Sequence, residues 1–179
     1  MRTGTVDEAI IEAMRRDLDS GFTELVRTYQ PGIYSGAYRL TRSRTEAEDV
    51  AQDAMLRAYR SLSGFDDQRL SELRIRPWLW TIALNLVRSR AGKPRDDTEA
   101  AEWMHPPTVD EEPMDDDAWN QRLARLNGPQ RTAVVLRHVL DLPIAEIAEI
   151  TGRPEGTVKA DISRGLESLR RTMTREALL

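Results

Sequence analysis

Residues 144–171 read IAEIAEITGRPEGTVKADISRGLESLRR and predict two helices separated by a tight turn. Isoleucines recur at helical intervals up to the stop signal at Gly152, and a second apolar stripe with steps of three and four residues begins at Val158. A short helix, a turn with Gly and Pro, and a longer basic helix form the pattern of a helix-turn-helix. We therefore predict a DNA-reading helix-turn-helix over about Leu142 to Met173.

Polar and small side chains near the start of the second helix fall off its apolar stripe, where recognition helices meet base edges. Lysine and arginine can bond guanine or phosphate, threonine can bond phosphate, alanine can touch a thymine methyl, and aspartate can accept from cytosine. The alternative is a solvated face of a packed helix. The candidate contacts are Thr157, Lys159, Ala160, Asp161, Ser163 and Arg164.

Helical patterns also dominate the rest of the chain, and no strand-like alternation competes with them. The sequence Asn127-Gly128-Pro129 is a strong stop-and-restart signal between two of the predicted helices. We therefore predict an all-α fold. The upstream helices are expected at Ala9–Asp17, Phe22–Thr41, Glu46–Leu62, Trp78–Ala91, Trp119–Leu126 and Gln130–Leu140.

The third predicted helix has a capped start and an acidic outer face. Thr45 and Glu48 have the spacing of a capping box, which predicts a helix start at Thr45. Apolar residues at steps of three and four bury one stripe of this helix and leave Asp49, Gln52 and Asp53 on the outside. On the residues alone, this face is a solvated surface.

A second basic patch follows a pair of tryptophans. No acidic residue occurs from Leu84 to Arg95, a stretch that contains Arg88, Arg90, Lys93 and Arg95. Aromatic rings beside cations can stack on exposed bases while the cations hold the backbone, as in single-strand binding. Trp78 and Trp80 are also candidates for core positions, and the sequence does not decide which indole is buried.

Charge divides the 179-residue chain into three parts. Residues 96–117 contain ten acidic residues and no Lys or Arg, while the net charge of the whole chain is only -4. Residues 1–95 and 118–179 are therefore each basic, with a net charge of +3. The acidic stretch has no helical period and contains three prolines, which is typical of a linker. We predict two small helical domains, 1–95 and 118–179, joined by a flexible acidic linker, 96–117.

The composition argues against an enzyme, a cofactor-binding protein or a metalloprotein. The chain has no cysteine, its two histidines at His105 and His138 are isolated, and it has no phosphate-binding glycine loop. We expect no enzymatic activity, no cofactor and no metal. No segment resembles a signal peptide or a membrane span, so we expect a cytoplasmic protein without membrane insertion.

Three blocks in this order resemble an RNA polymerase sigma factor of the extracytoplasmic-function type. They are TEAEDVAQDAMLRAYRSL at 45–62, RPWLWTIALNLVRSR at 76–90 and the helix-turn-helix, with the acidic linker between the second and the third. The resemblance covers roughly residues 20–92 and 118–175. It implies a factor that binds core RNA polymerase, directs it to promoters, helps to melt the DNA and is controlled by an anti-sigma factor.

The resemblance also implies roles for the candidate residues. Asp49, Gln52 and Asp53 would dock on the clamp coiled coil of the largest polymerase subunit, and the polymerase flap is a further expected contact. The helix-turn-helix would read the minus-thirty-five element. Asp161 occupies a position that is often basic in this family, so it would either read a base or form a local ion pair. The linker would thread toward the RNA exit path. Minus-ten contacts are implied for Trp78, Trp80, Asn85, Arg88 and Arg90.

One segment departs from the family pattern. The loop Gly64–Arg76 resembles the family's pocket for a flipped base, but the spacing between Phe65 and Trp78 is several residues longer than usual. No individual base contact is therefore transferred to this loop.

The sequence is also compatible with two other functions. A regulator with a ligand-sensing N-terminal domain would be expected to dimerise, and the sequence has no sustained heptad interface for that purpose. A helical inhibitor that mimics a sigma factor would keep the docking face and fail to start transcription. Run-off transcription with core polymerase separates the inhibitor from a true sigma factor.

Overall fold

The computed structural model of the protein describes residues 3–91 and 116–177, and every regular element within these ranges is a helix. This confirms the all-α prediction. The first unit contains α1 (Thr3–Arg16), α2 (Leu18–Thr41), α3 (Arg44–Leu62), α4 (Asp67–Ser71) and α5 (Ile75–Arg90). The second contains α6 (Asp116–Ala124), α7 (Gly128–Val134), a π-helical continuation (Val135–Val139), α8 (Ile144–Thr151) and α9 (Glu155–Glu176).

Most of the predicted linker lies outside the described residues. Only its last two residues, 116 and 117, are described, and they begin α6. Lys93, Arg95 and His105 also lie outside the described part of the chain.

The first unit is built on α2, which packs against α1, α3 and α5. The apolar stripe predicted for α3 is confirmed, because Ala47, Val50, Ala54 and Ala58 are completely buried. Small side chains along this stripe let neighbouring helices approach closely. Asp49 and Gln52 remain exposed on the opposite side of the same helix.

The predicted cap of α3 is wrong by two residues. The N-cap is Ser43, whose hydroxyl accepts a hydrogen bond from the backbone N–H of Glu46 at 3.2 Å. Thr45 lies inside the first turn. Ser43 with Glu46 and Thr45 with Glu48 both have capping-box spacing, so the sequence offers two starts and the fold uses the first.

Other helices of the first unit begin earlier than predicted, at Thr3, Leu18 and Ile75. The start of α2 has a physical cause, since the Asp17 carboxylate accepts a hydrogen bond from the Ser20 backbone N–H at 3.0 Å. The five-residue α4 was not predicted at all, because it is too short to show a period.

The second unit has the predicted helix-turn-helix. Asn127 caps α7 by accepting from the Gln130 backbone N–H at 2.9 Å, which confirms the restart signal. Gly152 ends α8 in the left-handed conformation, with φ of 67°, where a side chain would add strain. This turn fixes the direction in which α9 leaves α8.

The two helical units pack directly against each other. Their buried apolar residues form one continuous cluster, with α8 against α5 and the π-helical segment against α2. Gly36 of α2 permits the contact, because a Cβ there would lie 2.4 Å from Trp80 Cη2 and 2.9 Å from Leu140 Cδ1. Among the described helices, none has the combination of length and apolar character that a membrane crossing requires.

Candidate nucleic-acid and protein interfaces

The first half of α9 presents a polar face beside the fixed turn. Lys159, Ser163 and Arg164 are exposed, while Thr157 and Ala160 are partly buried at its edge. Val158 and Ile162 are buried and pack α9 against the other helices of the second unit. The structure thus brings five of the six predicted minus-thirty-five residues onto an accessible surface.

Asp161 is the sixth residue, and the structure contradicts its predicted contact with DNA. It is 6% exposed, and its carboxylate accepts a hydrogen bond from the Arg153 guanidinium across the turn. Because this carboxylate is buried and already paired, it cannot accept from a cytosine without breaking the helix-turn-helix interior. Asp161 therefore joins the turn to α9.

The two tryptophans of α5 have different environments. Trp80 is 3% exposed and lies between Gly36 and the core, which excludes it as a platform for a base. Trp78 is only partly buried, and its ring centroid lies 5.9 Å from that of Phe65. The prediction of a DNA contact is therefore wrong for Trp80 and remains a prediction for Trp78.

Farther along α5, Asn85 and Arg88 are exposed. Together with Arg74 and Trp78 they recur at steps of 4, 7 and 3 residues, so they lie along one side of the helix. We call these four residues, Arg74, Trp78, Asn85 and Arg88, the α5 stripe. Trp80 and Arg76 lie on the other side of α5.

Arg90, the last predicted minus-ten residue, points to α3 instead. Its guanidinium donates to Asp49 at 2.9 Å and to Asp53 at 2.6 Å. Burial alone would lower the pKa of Arg90, but the hydrogen bonds to the two carboxylates outweigh it and the pKa is raised. Arg90 therefore forms ion pairs with two of the predicted polymerase-binding residues, and its positive charge partly neutralises their carboxylates.

The segment between α3 and α5 contains contacts that sequence reasoning missed. Asp66 caps α4 by accepting from the Arg69 backbone N–H at 2.8 Å. The Arg69 guanidinium lies 4.0 Å from the centroid of the Phe65 ring, which in turn contacts Trp78. This arrangement supports one side of Trp78 with a packed aromatic and a cation.

Two arginines at the start of α5 form ion pairs with α8. Arg76 Nε donates to Glu146 at 2.9 Å, and Arg74 donates to Glu149 at 2.5 Å. Sequence reasoning missed these residues, because a pair separated by 70 residues or more leaves no local pattern. The two acids of IAEIAE, spaced three residues apart, and the basic segment before Trp78 were the available signals.

A cavity of about 340 Å³ lies between the two units. Leu84 and Val87 of α5 line one side, Ala133 and Val158 line the other, and Arg88 also contributes. One end of the α5 stripe thus faces the second unit, as does the other end at Arg74.

Comparison with known families agrees with this two-unit arrangement. The family described as Sigma-70 region 2 matches residues 25–95, and the family described as Sigma-70, region 4 matches residues 117–169. The first match contains α3 and α5, and the second contains the helix-turn-helix.

Among relatives, the ECF RNA polymerase sigma factor SigW of Bacillus subtilis (strain 168) is 32% identical, over 91% of this chain and 94% of SigW. CnrH, solved in complex with the cytosolic domain of CnrY, has the same fold with a TM-score of 0.72 and 20% identity, over 95% and 98% of the two chains. RpoE of Bartonella quintana, solved with the anti-sigma factor NepR, has a TM-score of 0.65 and 22% identity, over 86% and 96%. The chain belongs to the extracytoplasmic-function (ECF) family of RNA polymerase sigma factors.

Proposed function

We propose that this sigma factor directs core RNA polymerase to promoters by a two-point grip, with α5 on the minus-ten element and α9 on the minus-thirty-five element. The observation that carries the proposal is the exposed face of Lys159, Ser163 and Arg164, held beside the Gly152 turn. Thr157 and Ala160 extend this face. Helix N-terminal regions presented in this way reach base edges in the major groove.

At the minus-ten element, the α5 stripe supplies the contacts. Trp78 is placed to stack on an unpaired base, and Asn85 and Arg88 to hold the non-template strand. Trp80 supports α5 from the core. In this proposal Trp78 contacts DNA and Trp80 stabilises the fold.

Polymerase docking is assigned to the outer face of α3. The side chains of Asp49 and Asp53 are 53% and 42% exposed, and Gln52 is exposed beside them. We propose that this face meets the clamp coiled coil, and that the second unit meets the flap. Arg90 acts as a positioning residue that holds both carboxylates in place.

The two-point grip explains why the protein needs polymerase. Each basic unit alone neutralises few phosphates, and affinity for DNA scales with the number of neutralised phosphates. On polymerase, binding of one unit makes the contact of the other effectively intramolecular, which raises promoter affinity without any new contact. The free protein should therefore bind promoters weakly and with strong dependence on salt.

We further propose control by an anti-sigma factor. The similar folds of CnrH and RpoE were each solved with a bound protein, NepR being an anti-sigma factor by name. We also propose a cytoplasmic location, because core polymerase and its promoters are found there.

Run-off transcription with core polymerase tests the proposal, with promoters found by mapping transcript starts after induced expression. Arg164→Ala should reduce promoter-specific transcripts by about tenfold, since a cation that bonds a base edge or phosphate is lost. Arg170→Ala, which removes another exposed arginine farther along α9, is the matched control and should change transcription little. The proposal fails if starts share no upstream motif, or if the chain inhibits core polymerase without starting transcription.

A further inference from the structure

We propose that Glu146 and Glu149 of α8 hold the free protein closed by occupying Arg74, the first residue of the α5 stripe, so that this arginine cannot bind DNA until the two units separate. The inference rests on the proposed function, because it assigns the regulation of the same DNA-binding stripe. We call the four residues Arg74, Arg76, Glu146 and Glu149 the latch.

The latch has a sheltered pair and an exposed pair. The Arg76 and Glu146 side chains are 20% and 15% exposed, and their Nε and Oε2 atoms are 2.9 Å apart. Arg74 and Glu149 are 58% and 47% exposed, and Arg74 also lies 3.6 Å from Glu146. The first pair is therefore shielded from solvent and the second remains open to exchange with other anions.

Further contacts between the units surround the latch. Arg39 donates to Asn120 Oδ1 at 3.1 Å, and Asn120 is only 5% exposed. Leu140 reaches the surface of α2 at Gly36. The closed arrangement thus combines apolar packing with oriented polar contacts, and Glu146 and Glu149 supply its charge specificity.

Promoter binding requires this arrangement to open. Elements named for positions minus ten and minus thirty-five lie about 25 base pairs apart, or about 85 Å at 3.4 Å per base pair. In the closed protein, Arg76 and Glu146 of the two units are in contact at 2.9 Å. The 24 residues from 92 to 115 can span at most about 86 Å when fully extended, which just reaches such a separation.

The closed form also reduces the positive charge that the α5 stripe offers to DNA. Arg74 lies on the same side of α5 as Trp78, Asn85 and Arg88, and its guanidinium is paired with carboxylates instead of phosphates. Arg88, at the other end of the stripe, lines the cavity against the second unit. DNA must therefore displace α8 before it can use the whole stripe. The apparent affinity of the free protein is the affinity of the open form multiplied by the fraction of open molecules.

The test compares two double variants of the full chain with equal charge changes. Glu146→Gln with Glu149→Gln removes the acids of the latch. Glu12→Gln with Glu24→Gln is the matched control, because both residues form exposed ion pairs within their own helices. Since the chain has no cysteine, Ser61→Cys and Thr174→Cys provide two exposed labelling sites, one in each unit, for single-molecule energy transfer.

We expect the latch variant to show a larger open population than the control. It should also bind a short fluorescent DNA single strand of mixed sequence about fivefold more tightly, because a smaller fraction of the protein is closed. Equal energy-transfer distributions in the two variants would overturn the latch. Opening without tighter DNA binding would overturn the role of Arg74 in DNA binding. Run-off transcription with core polymerase, measured in parallel, reports separately on the proposed function.

Discussion

The two helices proposed to read DNA, α5 and α9, differ in how accessible they are in the same molecule. Along α9, Lys159 is 61% exposed in its side chain, and its ion pair with Glu155 is within the helix and long, at 3.9 Å. Along α5, Arg74 is paired with α8, and Arg88 faces the cavity between the units. The free protein thus presents the proposed minus-thirty-five face, while the proposed minus-ten stripe is partly covered.

This difference indicates where regulation can act. A partner or polymerase need not create the α9 surface, which the Gly152 turn already holds in place. It must instead separate the second unit from α5. Polymerase can do so by binding the two units at distant sites, because each contact then favours the open arrangement.

The largest expected effect distinguishes the two tryptophans. Trp80→Ala should lower the free energy of unfolding by about 3–5 kcal/mol, since it removes a fully packed indole. Trp78→Ala should cost about 1–2 kcal/mol because its ring is only partly buried, but it should weaken binding of single-stranded DNA. Urea denaturation and fluorescence anisotropy measure both quantities. A larger stability loss for Trp78→Ala would reverse the assignment.

The next effect concerns Asp161 on the otherwise accessible α9. Asp161→Ala should lower the free energy of unfolding by about 1–3 kcal/mol, because Arg153 loses its partner in a mostly buried setting. Promoter preference should stay the same in the molecules that remain folded. Ser163→Ala, at an exposed neighbouring position, should leave stability unchanged. A changed base preference at full stability for Asp161→Ala would restore its direct role in reading DNA.

A smaller effect locates the start of α3, which carries the proposed polymerase-binding face. Ser43→Ala should cost about 1 kcal/mol through loss of the N-cap hydrogen bond. Thr45→Ala should stay within about 0.5 kcal/mol, as expected for a surface substitution without a cap. Thermal unfolding of both variants checks the assignment, which fails if Thr45→Ala is the more damaging.

The smallest effect on stability separates Arg90 from Arg88 on α5. Arg90→Gln should cost about 0.2–1 kcal/mol, the usual range for exposed ion pairs. It should weaken binding to core polymerase, because Asp49 and Asp53 lose their common partner. Arg88→Gln should instead weaken DNA binding and leave polymerase binding unchanged. Loss of DNA affinity alone in Arg90→Gln would return Arg90 to the minus-ten contacts.

These contrasts also show what a sequence can predict. The helix-turn-helix was predictable because an apolar stripe and a turn glycine are local signals, and α3 because its alanines repeat regularly. Trp78 and Trp80 are two residues apart and therefore lie on different sides of a helix. Periodicity alone does not show which of these sides faces the core. The choice depends on the close approach of Gly36.

The pairings of charged residues were the least predictable part of the candidate site. Arg74 and Glu149 are 75 residues apart, and Arg90 and Asp49 are 41 apart. Each of these side chains is polar and suits an exposed position in its own helix. Only the packing of helices distant in sequence turns a candidate phosphate contact into an intramolecular ion pair.

The most direct test of the whole account is the distance between the two units, measured by energy transfer between labels at Ser61→Cys and Thr174→Cys. We predict a compact population in the free protein and an extended one after addition of core polymerase and a mapped promoter, with the DNA-reading surfaces about 85 Å apart. Core polymerase without promoter should already populate the extended form. Distances that stay compact in a complex competent for transcription would contradict the account.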